Sequence, residues 1–189
     1  MKWNNVKPDI SAKLLNEVST EWSAIDLIKL ISYTAATPLI IFPEHVRVKI
    51  KQHLTSKNVE LGGLLFGKVV SLKDLNEGIV WIEITDSIES IDFESTSVSL
   101  SMGASIWQAA EELNNATNFV VGWYHSHPNL GAFFSSVDRK TQRDFFNSAY
   151  SLGLVIDTIK NEEKWFLGAD SIELEAKNII NCFASISNL

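Results

Sequence analysis

The sequence has very little cysteine and no long apolar run, and both absences narrow the classes of protein that it can encode. Its 189 residues include one cysteine, which excludes an internal disulfide framework and fits a reducing compartment. It contains no run of about eighteen apolar residues, so we expect no membrane span. The start, Met1 to Asn5, has no apolar signal region. We therefore expect a cytoplasmic protein.

Basic residues are scarce as well. The chain has 16 Lys and Arg against 23 Asp and Glu, a net charge of −7. A nucleic-acid binder is expected to show a basic stripe, so we expect no nucleic-acid partner. The hydrophobic fraction of 46%, with six tryptophans, predicts one sizeable core.

Two of the four histidines stand in one tripeptide, at the end of an apolar run. Residues 119–124 are apolar, aromatic and β-branched, which predicts a buried strand. Side chains alternate between the faces of a strand, so His125 and His127 point to the same side. Pro128 cannot donate to a strand ladder and ends the strand. The two imidazoles are therefore placed to hold one ion.

A carboxylate follows at a fixed distance. Ser135 or Ser136 is a good N-cap for a helix over about 137–147, which places Asp138 in the first turn, within reach of the strand end. Two imidazoles and one carboxylate leave one position of a tetrahedral zinc ion open, as in catalytic sites. A structural site would close that position with a fourth side chain. The pattern therefore predicts a zinc hydrolase.

The residues alone offer several candidates for the base of such a hydrolase. Glu60 precedes an apolar segment, residues 61–67, and a charge entering a buried strand is costly unless it is paired or functional. A solvent-facing strand end is the alternative interpretation, and Glu83, Glu89 and Glu94 compete with it as candidates.

Three other reactive side chains are predicted to have no part in the chemistry. His45 and His53 lie on a predicted helix and are interpreted as surface residues. Cys182 lies in the apolar run 179–183, a setting that leaves a thiol unreactive.

The combination of Glu60 before an apolar, glycine-containing strand and the run His125 to Pro128 followed by Ser135 and Asp138 resembles the JAMM (MPN-plus, JAB-like) zinc metalloprotease family. The resemblance covers residues 38–165 and implies one zinc ion per chain, held by the two histidines and the aspartate. It implies Glu60 as the general base that later protonates the leaving amine, and Ser135 as the hydrogen-bond donor to the oxyanion. One departure is that Phe133-Phe134 stands where many members have proline before the serine; the pair is predicted to plug the core or to contact substrate.

The predicted fold is α/β, a mixed β-sheet flanked by helices, with the cytidine-deaminase-like layout that the resemblance implies. Residues 1–36 are predicted to be an N-terminal helical extension and residues 37–189 the JAMM/MPN metalloprotease domain. Apolar spacing predicts one or two helices over 10–30. Further helices are predicted over 44–54 and, capped by Ser101, over 102–114; strands are predicted near 39–42, 61–70, 79–85, 152–158 and 164–168.

The resemblance implies cleavage after the C-terminus of ubiquitin or a ubiquitin-like protein, in maturation or deconjugation. The compact chain is similar to prokaryotic members encoded beside ubiquitin-like, E1-like and E2-like proteins in bacterial conjugation or antiviral defence systems. Residues 86–99 are predicted to be either a surface loop or a segment that pairs with the substrate tail as an added strand. The alternatives are a peptidase that processes sulfur-carrier proteins, a non-catalytic MPN scaffold, which the complete ligand set disfavours, and a DNA-repair relative, which the acidic charge disfavours.

Overall fold

A mixed nine-stranded sheet forms the centre of the protein, and helices cover both of its faces. The computed structural model describes residues 9–19, 22–57, 59–91, 93–96, 99–102 and 104–182. The helices there are α1 (Leu15–Val18), α2 (Ala24–Tyr33), α3 (Glu44–Leu54), α4 (Ala104–Leu113) and α5 (Ser136–Phe145), with a 3-10 turn at Ala176–Asn178. The strands are β1 (Lys13–Leu14), β2 (Leu39–Ile41), β3 (Gly62–Ser71), β4 (Ile79–Glu89), β5 (Phe93–Thr96), β6 (Ser99–Met102), β7 (Phe119–Ser126), β8 (Leu152–Asp157), β9 (Glu162–Leu167), β10 (Ile172–Glu173) and β11 (Ile179–Ile180). The predicted α/β class is confirmed.

Strand order places β7 in the middle of the sheet. The order is β10-β9-β8-β7-β3-β4-β2-β11, and β1 pairs with the far end of β3. β7 runs antiparallel to β3 and parallel to β8. Parallel neighbours need a crossover connection, and α5 lies in the crossover from β7 to β8. Residues 127–135 connect the end of β7 to the start of α5, and this short connection keeps the strand end and the helix start close together.

The core is divided by the sheet into clusters on its two faces. On one face α3 packs through Val46, Ile50 and Leu54. On the other, α4 contributes Ile106 and Ala110 beside Trp123 of β7, and Leu15 and Leu30 of the N-terminal segment cover β2 and β4. The strands β3, β7 and β8 are buried along nearly their whole length, which accounts for their continuous apolar sequences.

Helix boundaries follow the predictions where a local signal exists. α3 begins after Pro43 and ends at Leu54, and α5 begins at Ser136 with Ser135 as its N-cap. The prediction that Ser101 caps the next helix is wrong, because Ser101 lies in β6 and α4 begins at Ala104. No helix in the described residues is both long and apolar enough to cross a membrane.

The N-terminal segment contains less helix than its apolar spacing predicts. α1 has four residues, and the residues before it form β1, which pairs in parallel with β3, Lys13 opposite Val70. Leu15 and Leu30 of this segment are buried against the sheet, whereas Ile25 and Ile28 are exposed. In its first part, pairing with a strand edge overrides the helical period. The division into an extension over 1–36 and a domain over 37–189 stays a prediction.

The segment 86–99 is largely strand. Its first residues complete β4, and β5 then pairs with β6 in a separate antiparallel hairpin. The side chains of this hairpin lie outside the described residues. The prediction of a plain surface loop is therefore wrong for the backbone, and pairing with a substrate tail stays a prediction.

Candidate metal centre

The last residues of β7 bring two buried imidazoles together. His125 is the next-to-last residue of the strand, and His127 follows its end, held by its backbone N–H to the carbonyl of Ile156 in β8 (3.0 Å). Their Nε2 atoms lie 3.1 Å apart. The ring of His125 stacks on Trp123 at 4.6 Å with an interplanar angle of 5°, which fixes the ring plane. Strand alternation has produced the predicted pair.

Asp138 reaches the same point from the first turn of α5. It closes a capping box: the Ser135 N–H donates to Asp138 Oδ2 (2.6 Å), and the Asp138 N–H donates to Ser135 Oγ (3.2 Å). Asp138 Oδ1 lies 3.2 Å from His125 Nε2, and Oδ2 lies 3.5 Å from His127 Nε2. The cap that starts the helix therefore also orients the carboxylate.

These three side chains fit a zinc ion. Among the described residues they form the one group of His, Cys, Asp or Glu whose ligand atoms converge, all within 4.8 Å of one another. Ligand atoms at zinc bond lengths in a tetrahedral site are separated by about 3.3 Å. Here the two Nε2 atoms are 3.1 Å apart, and each lies near one carboxylate oxygen of Asp138, Oδ1 at 3.2 Å from His125 and Oδ2 at 3.5 Å from His127. The donor set also suits the ion, because imidazole and carboxylate are ligands that zinc accepts.

The protonation states favour binding of a cation. Burial opposes ionisation of Asp138, but hydrogen bonds from His125 and Ser135 outweigh it and lower the pKa of Asp138 to about 2. Burial, followed by electrostatic repulsion between the two imidazoles when they are protonated, lowers the pKa of His127 below its ordinary 6.5. Near neutral pH the aspartate is ionised and His127 is neutral, as metal ligands must be.

Glu60 lies beside this cluster and is buried. Its Oε1 is 3.8 Å from His127 Nε2. The neighbouring Leu61 is tied to β7 in both directions, since its N–H donates to Ser126 Oγ (3.0 Å) and its carbonyl accepts from the Ser126 N–H (2.9 Å). Burial raises the pKa of Glu60 above its ordinary 4.5, only partly opposed by His125. The carboxylate is therefore held where a proton acceptor for this cluster would be useful.

The competing glutamates are not brought to the cluster. Within the described residues, Glu60 is the glutamate that lies within 4.0 Å of a histidine nitrogen there. Glu83 and Glu89 lie on β4, and the side chain of Glu94 lies outside the described residues. The alternative of a solvent-facing strand end is wrong for Glu60, which is 3% exposed.

The two adjacent phenylalanines, Phe133 and Phe134, lie in different environments. Phe134 is buried and stacks on Phe166 at 3.9 Å, so it plugs the core. Phe133 is 44% exposed, and its ring lies 5.0 Å from the ring of His127. The predicted role in the core is thus confirmed for Phe134, and contact of the exposed Phe133 with substrate stays a prediction.

Among the predictions about other side chains, the one for His53 is wrong, and the absence of a role for Cys182 in the chemistry stays a prediction. His45 is exposed as expected, but His53 is buried, and its Nδ1 lies 3.0 Å from the hydroxyl of Tyr124. Burial lowers the pKa of His53. Its position in the last turn of α3, facing the sheet, places it against β7, on the face opposite to His125. Cys182 has an exposed side chain, although its sequence neighbourhood is apolar.

Two buried polar residues around the cluster were missed by the sequence reasoning. Gln142 accepts from Trp123 Nε1 (2.6 Å), so it holds the ring on which His125 stacks. Asp157 accepts from backbone N–H groups of the loop that follows His127. The signal that was available for Asp157 is the one used for Glu60, a carboxylate at the end of an apolar strand.

A comparison with known families identifies the chain. Residues 39–149, more than half of the chain, match the family model described as "JAB1/Mov34/MPN/PAD-1 ubiquitin protease". The chain belongs to this JAB family. The predicted family resemblance is thereby confirmed, and the match includes Glu60, both histidines, Ser135 and Asp138.

Curated relatives in the JAB family carry names of ubiquitin-directed enzymes. The chain is 31% identical over 144 residues to "Lys-63-specific deubiquitinase BRCC36" of Camponotus floridanus, covering 73% of this chain and 51% of that protein. It is 37% identical over 71 residues to "Ubiquitin carboxyl-terminal hydrolase RPN11" of Saccharomyces cerevisiae, covering 37% of this chain and 21% of that protein. The chain thus spans about half or less of these relatives' lengths.

A solved structure shows the same fold. The solution structure of protein DSY2949 from Desulfitobacterium hafniense superposes with a TM-score of 0.57 at 21% identity, covering 75% of this chain and 92% of that one. At this identity the likeness concerns the arrangement of strands and helices.

Proposed function

We propose that this chain is a zinc-dependent isopeptidase or peptidase that hydrolyses the bond after the C-terminus of ubiquitin or a ubiquitin-like protein. The observation that carries the proposal is the convergence of His125, His127 and Asp138 at separations suited to zinc, with the buried carboxylate of Glu60 beside them. The JAB family match and the names of the relatives support the substrate class.

In this proposal His125, His127 and Asp138 hold the metal through the atoms that now face one another. When bound, zinc acts as a Lewis acid and lowers the pKa of a coordinated water towards about 7. Trp123 and the capping box keep two of the ligands in place beforehand, so little reorganisation is needed on binding.

Glu60 is proposed to move the proton. Because burial raises its pKa, its carboxylate accepts a proton from the attacking water more readily than an exposed glutamate. The protonated form then delivers that proton to the leaving amine as the bond to the carbonyl carbon breaks. The raised pKa thus serves both transfers.

Ser135 is proposed to donate to the oxyanion that develops on the substrate carbonyl. Its Oγ accepts from the Asp138 N–H at the start of α5, which holds the hydroxyl group beside the metal cluster. Removal of one such donor typically costs about a hundred-fold or more in rate. Phe133, exposed beside His127, is proposed to contact the substrate tail.

The experiment combines zinc analysis with cleavage of a fusion that carries a reporter after the C-terminus of ubiquitin. We expect about one zinc per wild-type chain. Glu60→Gln is expected to keep the zinc and to lose at least about a hundred-fold in turnover, because the proton acceptor is gone. His127→Ala is expected to lose the zinc, whereas His45→Ala, on the surface of α3, and Glu83→Gln, on β4, serve as controls that keep both properties.

The same assay separates the alternatives. A wild-type chain that takes up no zinc and cleaves nothing would support the non-catalytic scaffold, and unchanged turnover in Glu60→Gln would contradict the assigned base. Fusions of bacterial ubiquitin-like and sulfur-carrier proteins test the narrower proposal of a bacterial conjugation or antiviral defence enzyme that works with E1-like and E2-like partners in the cytoplasm. Cleavage of the sulfur-carrier fusion alone would favour that substrate.

A further inference from the structure

The carboxylate of Asp157 lies at the end of β8 and is completely buried. It accepts hydrogen bonds from the backbone N–H groups of Asn129 (3.1 Å), Gly131 (2.7 Å), Ile159 (2.9 Å) and Lys160 (3.0 Å). The acceptor atoms are divided unequally: Oδ1 receives three of these bonds, and Oδ2 receives the one from Gly131.

Asp157 therefore joins two loops. Ile159 and Lys160 belong to the turn between β8 and β9, whereas Asn129 and Gly131 belong to residues 128–134, the motif loop. The parallel register sets Ser126 of β7 beside Ile156 of β8. Asp157 thus follows directly after the strand position that receives the N–H of His127.

The motif loop has an unfavourable backbone that these bonds offset. Asn129 has φ of +66° and Gly131 has φ of +94°, both in the left-handed half of conformational space. For a residue with a Cβ this conformation costs about 1–2 kcal/mol. The loop also carries Phe133 against His127 and delivers Ser135 at the start of α5. Its shape therefore sets the distance between the two parts of the metal cluster.

We propose that Asp157 is a positioning residue: it holds the motif loop so that His127 and Asp138 keep the separation that zinc requires. The inference rests on the proposed function, because it concerns the same metal cluster. Asp157 acts through backbone N–H groups of the loop and touches none of the reacting atoms.

Asp157→Asn tests this with little change of shape. The amide oxygen can take the place of Oδ1 and keep its three bonds, whereas the amide nitrogen takes the place of Oδ2 and faces the N–H of Gly131. The substitution thus releases one anchor of the motif loop and spares the β8–β9 turn. Asn161→Ala is the matched control: Asn161 lies in that turn with φ of +55°, so alanine strains the turn without touching the loop.

The measurements are zinc affinity by chelator competition, the visible spectrum of the cobalt-substituted protein, and amide hydrogen exchange of the metal-free protein. For Asp157→Asn we expect zinc affinity to fall by about 10- to 100-fold, as for other residues that orient ligands from outside the coordination shell. We also expect an altered cobalt spectrum and faster exchange at Gly131. For Asn161→Ala we expect a lower melting temperature with wild-type values of all three.

Two results would overturn the inference. One is unchanged zinc affinity and Gly131 exchange in Asp157→Asn. The other is an equal loss of affinity in Asn161→Ala, which would mean that general destabilisation is the cause. If Asp157→Asn does not fold, Gly131→Ala replaces it, because a Cβ there disfavours φ of +94° and meets only Glu162 Oε2 at 3.6 Å. Its control is Gly168→Ala, with φ of +69° and no atom within 4 Å of the new Cβ.

Results that contradict the proposed function differ from those that contradict the role of Asp157. A wild-type chain that binds zinc tightly and cleaves no ubiquitin or ubiquitin-like fusion would contradict the proposed function, and the affinity comparison would still decide the role of Asp157. A wild-type chain that binds no zinc would overturn both.

Discussion

At Glu60 the proposed chemistry requires an ionised carboxylate, whereas burial in the folded protein disfavours ionisation. The carboxylate is buried, and burial raises its pKa above 4.5, so the native state binds the proton more tightly than the unfolded state does. The contribution of Glu60 to the stability of the metal-free protein is therefore expected to fall as the pH rises from 4.5 through the raised pKa. An ionised Glu60 therefore lowers the free energy of unfolding, and other interactions in the structure offset this cost.

Glu60→Gln removes that cost. In the presence of a chelator we expect the variant to unfold at higher urea than wild type at neutral pH, with the difference shrinking towards zero as the pH falls below 4.5. Urea titrations across that range measure it, with Glu83→Gln on β4 as the control. Parallel stability profiles for Glu60→Gln and wild type would contradict the prediction.

The sequence predicted the residues whose positions follow from short-range rules. Alternation along a strand brings His125 and His127 together, and the cap at Ser135 brings Asp138 to them. Gln142 was missed because its partner is an indole nitrogen from elsewhere in the chain, which leaves no pattern in the sequence. Asp157 does follow an apolar strand, as a carboxylate that invites notice, but its partners are main-chain groups of two loops, which no residue type marks. The burial of His53 was missed for a similar reason, since it depends on the Tyr124 hydroxyl across the core.

At the scale of elements, β7 and β8 approach each other very closely. A Cβ on Gly122 of β7 would lie 2.1 Å from the carbonyl oxygen of Leu152 in β8. Neither atom can move without shifting a strand backbone, so any side chain at this position separates the two strands. This pair of strands leads directly into His125 and Asp157.

We expect Gly122→Ala to lower the free energy of unfolding by about 3 kcal/mol or more, because the clash is with main chain in a packed core. Gly168→Ala, which meets no atom within 4 Å and has φ of +69°, is expected to cost about 1–2 kcal/mol from backbone conformation alone. Urea denaturation of both variants checks the ranking. Equal losses of unfolding free energy in the two variants would contradict the prediction, because they would mean that β7 and β8 can separate at little cost.

The boundaries of elements that begin at a proline or a capping residue were predicted closely, and those of elements without such a residue were not. α3 follows Pro43 and α5 follows a serine cap, and the structure places both as expected. The segment over 10–30 has apolar residues at helical spacing, yet its first part pairs with β3 as a short strand. The spacing of apolar residues holds no information about an open strand edge that another part of the chain provides.

At the scale of the whole molecule, the N-terminal segment and the sheet share a buried cluster. Leu30 of α2 is 2% exposed and packs with Leu39, Ile41 and Trp81 of the sheet. Residues of the predicted extension therefore contribute to the same core as the strands β2 and β4. We expect the two parts to unfold together.

Leu30→Ala is expected to cost about 2–5 kcal/mol and to lower the single unfolding transition of the whole chain. Ile25→Ala, on the same helix but 67% exposed, is the control and is expected to change stability little. Near-UV circular dichroism follows the tryptophans, and bound zinc released on heating follows the metal cluster. Zinc release at the wild-type temperature in Leu30→Ala would show that residues 1–36 behave as a separate unit.

The capping box at Ser135 and Asp138 has a consequence for how such a chain diverges. Substituting Asp138 removes a proposed metal ligand and, in the same step, the half of the capping box that accepts from the Ser135 N–H. Substituting Glu60 instead relieves a buried charge. In a descendant that loses hydrolysis and keeps the fold, substitution of Glu60 therefore destabilises the protein less than substitution of Asp138. We expect such a descendant to have lost Glu60 first and to retain its three proposed metal ligands.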